Sequence, residues 1–239
     1  MADLARVQSQ IADLTGIRRG HVRVASGADS LRHFLPEAVA CYRRDHPAVT
    51  FEMTRCYGDA AETSLLSLDT DIAMTFAPVQ SAHFHVAAAV RQQIYCLMNE
   101  EHPLAKQEII RLRDCVGHPV ILPNVLSGIR QLLDTGLIKR NLELNMILES
   151  DSFEFMENYL LHDEALSFQI PIGLAGSVEN FIDSRTPGVI ARPVDTADVP
   201  SGVIHIGYLK GRVLPVAAAK FLDNIICQLE KRFPDETGA

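Results

Sequence analysis

Apolar positions between Arg19 and Pro47, RGHVRVASGADSLRHFLPEAVACYRRDHP, first alternate with polar ones and then fall three and four apart. Val22 and Val24 alternate with Arg23 and Ala25 up to Ser26, which predicts a short strand. The small-residue run Ser26-Gly27-Ala28-Asp29-Ser30 has turn chemistry and offers Asp29 or Ser30 as a helix N-cap. Leu31, Phe34, Leu35, Ala38, Val39 and Tyr42 then make one apolar helix stripe. That helix is expected to end near Asp45, because Pro47 disfavours helical geometry at His46. A second strand follows over 49–53, completing the opening of a βαβ unit. Loop amides and a helix start meet at such a strand end, so small ligands bind there. The stretch is built for recognition and carries no catalytic signature.

The same periodicities run on along the chain. Leu4, Val7, Ile11 and Leu14 form a narrow seam over 3–18, read as a pairing helix whose apolar edge needs a partner; the alternative is a helix packed on its own domain. Gly16 and Gly20 break it. After the turn Tyr57-Gly58-Asp59, a short helix runs through Glu62, Leu65 and Leu66. Strands are predicted at 72–76, 83–91, 94–98, 119–123, 142–149, 165–168, 188–192 and 203–209. Residues 109–114 hold at most one or two helical turns, and helices are expected over 129–137 and 153–161. Asp151 or Ser152 caps the second of these, with Glu154 three residues after Asp151 as in a capping box. Residues 171–181 read as a loop and short helix. Pro215 at N1 opens a last amphipathic helix carrying Phe221, Leu222, Ile225, Ile226 and Leu229. Alternating strands and helices predict α/β architecture with mainly parallel sheets. They divide into two groups, which implies two lobes of about 100 residues each with binding between them.

Composition narrows the function classes. Apolar residues make up 47% and charged ones 22%, as in a globular protein. The apolar runs are far shorter than the ~20 residues that span a bilayer, and no secretory cleavage pattern opens the chain; a cytoplasmic protein without membrane contact is expected. The formal charge is −8, and the densest basic groups, Arg18-Arg19, Arg43-Arg44 and Lys139-Arg140, are dispersed. Nucleic-acid binding by this chain is therefore not expected. Cys41, Cys56, Cys96, Cys115 and Cys227 are odd in number and without a CxxC, which fits free thiols; Cys41 and Cys96 fall on predicted apolar faces, as core thiols.

Catalytic and metal chemistry find little support. His83-x-His85 places two imidazoles on one strand face, but no third ligand is suggested, so no metal is expected. Asp69 and Asp71 adjoin a core strand, and Asp151 and Glu154 read as capping groups, so neither pair is an acid–base couple. No nucleophile-elbow, dinucleotide or phosphate-loop motif occurs, and neither enzyme nor cofactor is expected.

Five segments resemble, in order and spacing, the effector-binding domain of LysR-type transcriptional regulators. They are Gly16 to Gly20 leading into Val22-Arg23-Val24; the helix ending at His46-Pro47; Leu68 to Ala73, similar to that family's leucine, spacer, Asp-Ile-Ala segment; His102-Pro103-Leu104-Ala105 followed by Ile110, Leu112 and Asp114; and Leu122-Pro123-Asn124 with Ser127-Gly128-Ile129-Arg130. The fourth is the most specific. The resemblance covers residue 17 to the C-terminus and departs at Leu161-His162-Asp163-Glu164-Ala165, where the family often has a glycine-rich turn.

The resemblance implies the type 2 periplasmic-binding-protein fold: two Rossmann-like lobes joined by two crossover strands. Residues 18–91 and 196–239 would form lobe I, and 92–195 lobe II. Residues 1–17 would be the remnant of a linker helix, and the family's winged helix-turn-helix domain would be missing. The implied effector site comprises Ser26, Asp29, Thr75, Phe76, Pro123, Asn124 and Ser127, with Phe168, Gln169 and Pro171 closing the far wall. Ser26 and Ser127 each lie between a strand end and a helix start, where a hydroxyl and free amides can hold a carboxylate. Arg130 could neutralise an anion or face solvent. The implied function is sensing of a small anionic or aromatic metabolite, passed to DNA only through the missing domain. A homodimer or homotetramer is implied, paired through the helix 31–42 and the one near Pro215. A stand-alone solute-binding protein of a transporter is the alternative.

Overall fold

The computed structural model describes residues 19–57, 59–76, 79, 81–174, 187–234 and 237–238. The predicted helix over 3–18, Gly58 and most of the segment 171–181 lie outside the described residues. The chain divides into two compact units, one formed by 1–27, 34–90 and 204–239, the other by 28–33 and 91–203. Apart from the short excursion at 28–33, it passes from the first to the second within strand β4 (Phe84–Gln92) and returns within β10 (Gly202–Leu209).

The first unit is built on a six-stranded sheet of order β11-β4-β10-β3-β1-β2, with β1 at Gly20–Ser26, β2 at Val49–Arg55, β3 at Ile72–Thr75 and β11 at Thr237–Gly238. Val22 and Val24, the alternating apolar positions of β1, are buried. The predicted 31–42 helix is two helices, α1 (Ala28–Arg32) and α2 (Phe34–Asp45), broken at His33. Pro36 explains the break. It has no N–H for the Arg32 carbonyl, and its ring would clash with that carbonyl in a continuous helix. The start at Ala28 also puts Asp29 and Ser30 inside the first turn, not at the cap.

α2 packs on α6 (Val216–Arg232), which also covers β1. Tyr42, Phe51 and Phe221 form an edge-to-face cluster with centroids 4.7–6.0 Å apart. β1 and α6 are so close that a Cβ on Gly20 would lie 2.5 Å from that of Ala217. Pro215 occupies the N-cap of α6, one position earlier than expected. α3 (Ala60–Leu66) lies on β3. Cys41 is exposed, not a core thiol: Phe34, Leu35, Ala38 and Tyr42 carry the buried face of α2, and position 41 falls beside it. Cys96 is buried, as expected.

The second unit contains an antiparallel sheet β8-β5-β9 (Ser167–Gln169, Tyr95–Asn99, Val189–Pro193) and a parallel pair of β6 (Pro119–Pro123) with β7 (Asn145–Ser150). A parallel bridge between Val120 and Leu166 connects the two. The sheets are thus mixed, not mainly parallel. Strand pairs joined through a helical crossover are parallel, as in β1/β2 and β6/β7, whereas β3/β10, β4/β11, β5/β8 and β5/β9 are antiparallel.

β7 starts three residues later than its apolar run predicts. α4 (Gly128–Arg140) ends on Asn141 in the left-handed region, φ 51°, and the Leu142 N–H donates to the Leu137 carbonyl at 3.0 Å. Leu142 is therefore spent on the helix terminus. α5 (Phe153–Tyr159) is capped by the Ser152 hydroxyl, which accepts from the Phe155 N–H. No helix among the described residues is long and apolar enough to cross a membrane.

Candidate functional site

Ser26 ends β1 beside Arg55 of β2 and Met74 of β3, and its carbonyl accepts from the Cys56 N–H at 2.9 Å. Its side chain is wholly buried, yet Oγ has no hydrogen-bond partner. A buried hydroxyl left unsatisfied costs about 1–3 kcal/mol. Thr75, also buried, ends β3 opposite His205 of β10, and Phe76 follows half-buried. The ends of β1 and β3 and the facing position of β10 thus bring Ser26, Thr75 and His205 together on adjacent strands. His205 had no signal in the sequence, because the antiparallel return of β10 alone brings it there.

In the second unit, α1 packs against the 3-10 turn Pro171–Gly173. Asp29 and Ser30 of α1 are both buried. Burial pushes the Asp29 carboxyl up to about 6, an effect tempered by hydrogen bonds from its own amide and that of Ser30. Gln169, at the end of β8, accepts from the Ile170 N–H through Oε1, while its buried Nε2 has no partner. A Cβ on Gly173 would meet the Gln169 amide group within 3.0 Å, so that amide lies directly under the turn. Gln92 Oε1 accepts from the Ile172 N–H at 2.9 Å. Gln92, buried at the end of β4, was not among the expected site residues.

Phe168 is completely buried within the unit's sheet, and Pro171 is buried at the start of the turn. At the end of β6, Pro123 is buried, the Asn124 Oδ1 accepts from the Leu126 N–H, and Ser127 stands at the N-cap position of α4. The Ser127 hydroxyl makes no cap bond, although the residue is only 6% exposed. Arg130 is engaged by Asp134, Glu149 and the Pro123 carbonyl, so its charge is already matched. An open groove of about 810 Å³ on this unit runs past Leu137, Ile138, Leu142 and Met146. Arg130 lines it, and none of the ten residues of the implied effector site does.

Three other buried carboxylates are paired with arginine. Asp71 receives Arg23 and Arg212, Glu157 receives Arg32, and Asp198 receives Arg111 and Arg140. His85 stacks on Tyr208, and no group of three metal-ligating side chains occurs among the described residues.

Against known proteins, the model described as the LysR substrate binding domain matches residues 15–230. The HTH-type transcriptional activator CmpR of Synechocystis is 22% identical over 231 residues, covering 95% of this chain and 72% of that protein. YwbI of Bacillus subtilis, an uncharacterized HTH-type transcriptional regulator, is 22% identical over 162 residues, and the match spans about half of its length, 52%. Among solved structures, the Synechocystis CcmR regulatory domain in complex with 2-PG superposes with a TM-score of 0.75 at 15% identity, covering 89% of this chain and 98% of that one. The effector binding domain of QuiR in complex with shikimate gives 0.71 at 19% identity, covering 90% and 99%.

Proposed function

The chain belongs to the LysR substrate-binding domain family, and from that premise we propose that it is the ligand-sensing part of a cytoplasmic transcriptional regulator. In this reading Ser26, Thr75, Asn124 and Ser127 are the residues that contact a small metabolite. The observation that carries it is the Ser26 hydroxyl, fully buried at a strand end with no partner. Natural folds rarely tolerate such a group unless something else satisfies it. Two relatives of the same fold were solved with small acids, shikimate and 2-PG, which supports a ligand carrying an acidic group.

The ligand acts by binding one conformation of the sensor more tightly than another, with a coupling of about 1–3 kcal/mol. That bias reaches DNA through a helix-turn-helix segment of the whole regulator, working as a homodimer or homotetramer. The matched relatives are transcriptional regulators, which favours this reading over a transporter's solute-binding protein or an enzyme.

The test is a thermal-shift screen against a metabolite library that includes shikimate, followed by titration of S26A and S127A with any hit. Each variant is expected to weaken binding by about tenfold or more, equivalent to about 1.4 kcal/mol. Wild-type affinity in both would refute the site.

A further inference from the structure

We propose that the effector is an amino-acid-like zwitterion, its ammonium group paired with Asp29 and its carboxylate accepting from Gln169 Nε2. The inference rests on the sensing function above and names the ligand's chemistry.

Asp71, Glu157 and Asp198 are each buried against arginine. Asp29 is equally buried but has no cationic partner among the described residues. Its contacts are the neutral amides of its own turn, and they do not offset the desolvation of the carboxylate. A buried charge without a counter-charge is strongly disfavoured, and a ligand ammonium would supply one. The second observation is independent. Gln169 Nε2 is a buried donor with no acceptor, and its amide lies under the same 3-10 turn on which α1 packs. The helix that carries the unmatched carboxylate thus packs on the turn that covers the unmatched N–H donor, and the two groups are the complement of an ammonium and a carboxylate. A simple dianion would face Asp29 with like charge.

The test measures melting temperatures of the full chain at neutral pH with the standard L-amino acids, each matched against its 2-oxo acid. At least one amino acid is expected to raise the melting temperature more than its oxo partner, and D29N to remove that preference with about a tenfold loss of affinity. Without ligand, D29N is expected to melt at or above wild type at neutral pH, with the difference shrinking toward about pH 5. The sign follows from the raised pKa: the ionised carboxylate destabilises the folded state as pH rises through that range. A panel in which no amino acid outperforms its oxo partner overturns the proposal, as does a ligand-free D29N that melts well below wild type. If oxo acids bind and S127A abolishes that binding, the sensing function stands and only the amino-group assignment falls.

Discussion

Asp198 offers the most direct test of how the second unit is held together. Its carboxylate is 3% exposed and accepts from Arg111 at 3.0 Å, from Arg140 at 2.5 Å and from the Leu112 N–H at 2.9 Å. The same segment is closely packed: a Cβ on Gly136 of α4 would come within 2.8 Å of the Asp198 carbonyl. Burial alone would raise the Asp198 pKa. The bonds from Arg111, the Leu112 amide and Arg140 outweigh it and bring the carboxyl down from 3.8 to about 2. That depression corresponds to between about 2 and 3 kcal/mol of stability, fully present above pH 3.8 and lost as pH falls toward 2. D198N keeps the shape and removes the charge. In urea unfolding it is expected to lose about 2–3 kcal/mol at neutral pH with an unchanged m-value, and the gap to wild type is expected to narrow between about pH 4 and pH 2. A loss below about 0.5 kcal/mol at neutral pH, or a gap indifferent to acid, would show that the two arginines are solvated elsewhere and the reasoning fails.

Three further outcomes follow from the same geometry. His102 is buried, its Nδ1 accepts from the Leu104 N–H, and burial followed by the neighbouring His118 holds its pKa below the ordinary 6.5. Because the unfolded chain then takes up the proton first, stability drops as pH falls below 6.5; H102N, which keeps an acceptor for the amide, is expected to melt with a weaker dependence on pH between about 7 and 5. A Cβ on Gly207 would lie 2.0 Å from the His85 carbonyl and 2.4 Å from the Phe84 ring, so G207A is expected to cost about 3 kcal/mol or more, read as melting temperature and soluble yield. In a native thiol titration with Ellman's reagent, the exposed Cys41 and Cys227 react quickly, while Cys96 and Cys115 wait for denaturant. Burial and the contact with Cys115 push the Cys96 thiol up, so little reactive thiolate is available there.

Much of the fold was legible because it rests on local pattern. The Val22/Val24 alternation marked β1, and the stripe from Phe221 through Leu229 marked α6, because burial of one face dictates both periods. The errors arose where backbone chemistry competed with the apolar pattern. Pro36 divided a stripe that reads as continuous, and the left-handed Asn141 took Leu142 for the end of a helix. For the expected site residues, place in the fold was legible but bonding was not. Ser26 and Ser127 were recognisable at strand-to-helix junctions, yet whether their hydroxyls are satisfied depends on neighbours distant in sequence. The fate of Arg130 likewise rests on Glu149, which only the pairing of β6 with β7 brings near.

The discontinuous first unit bears on how this protein emerges from the ribosome. β3 gains its antiparallel neighbour only when His205, Ile206 and Gly207 have been translated, and Phe221 arrives later still. The second unit draws almost entirely on one unbroken stretch, 91–203, and can consolidate while the N-terminal strands still wait. A nascent chain stalled before residue 204 would thus hold β1, β2 and β3 without the strand and helix that finish their sheet. Chaperone demand during synthesis is accordingly expected to fall on β1, β2 and β3.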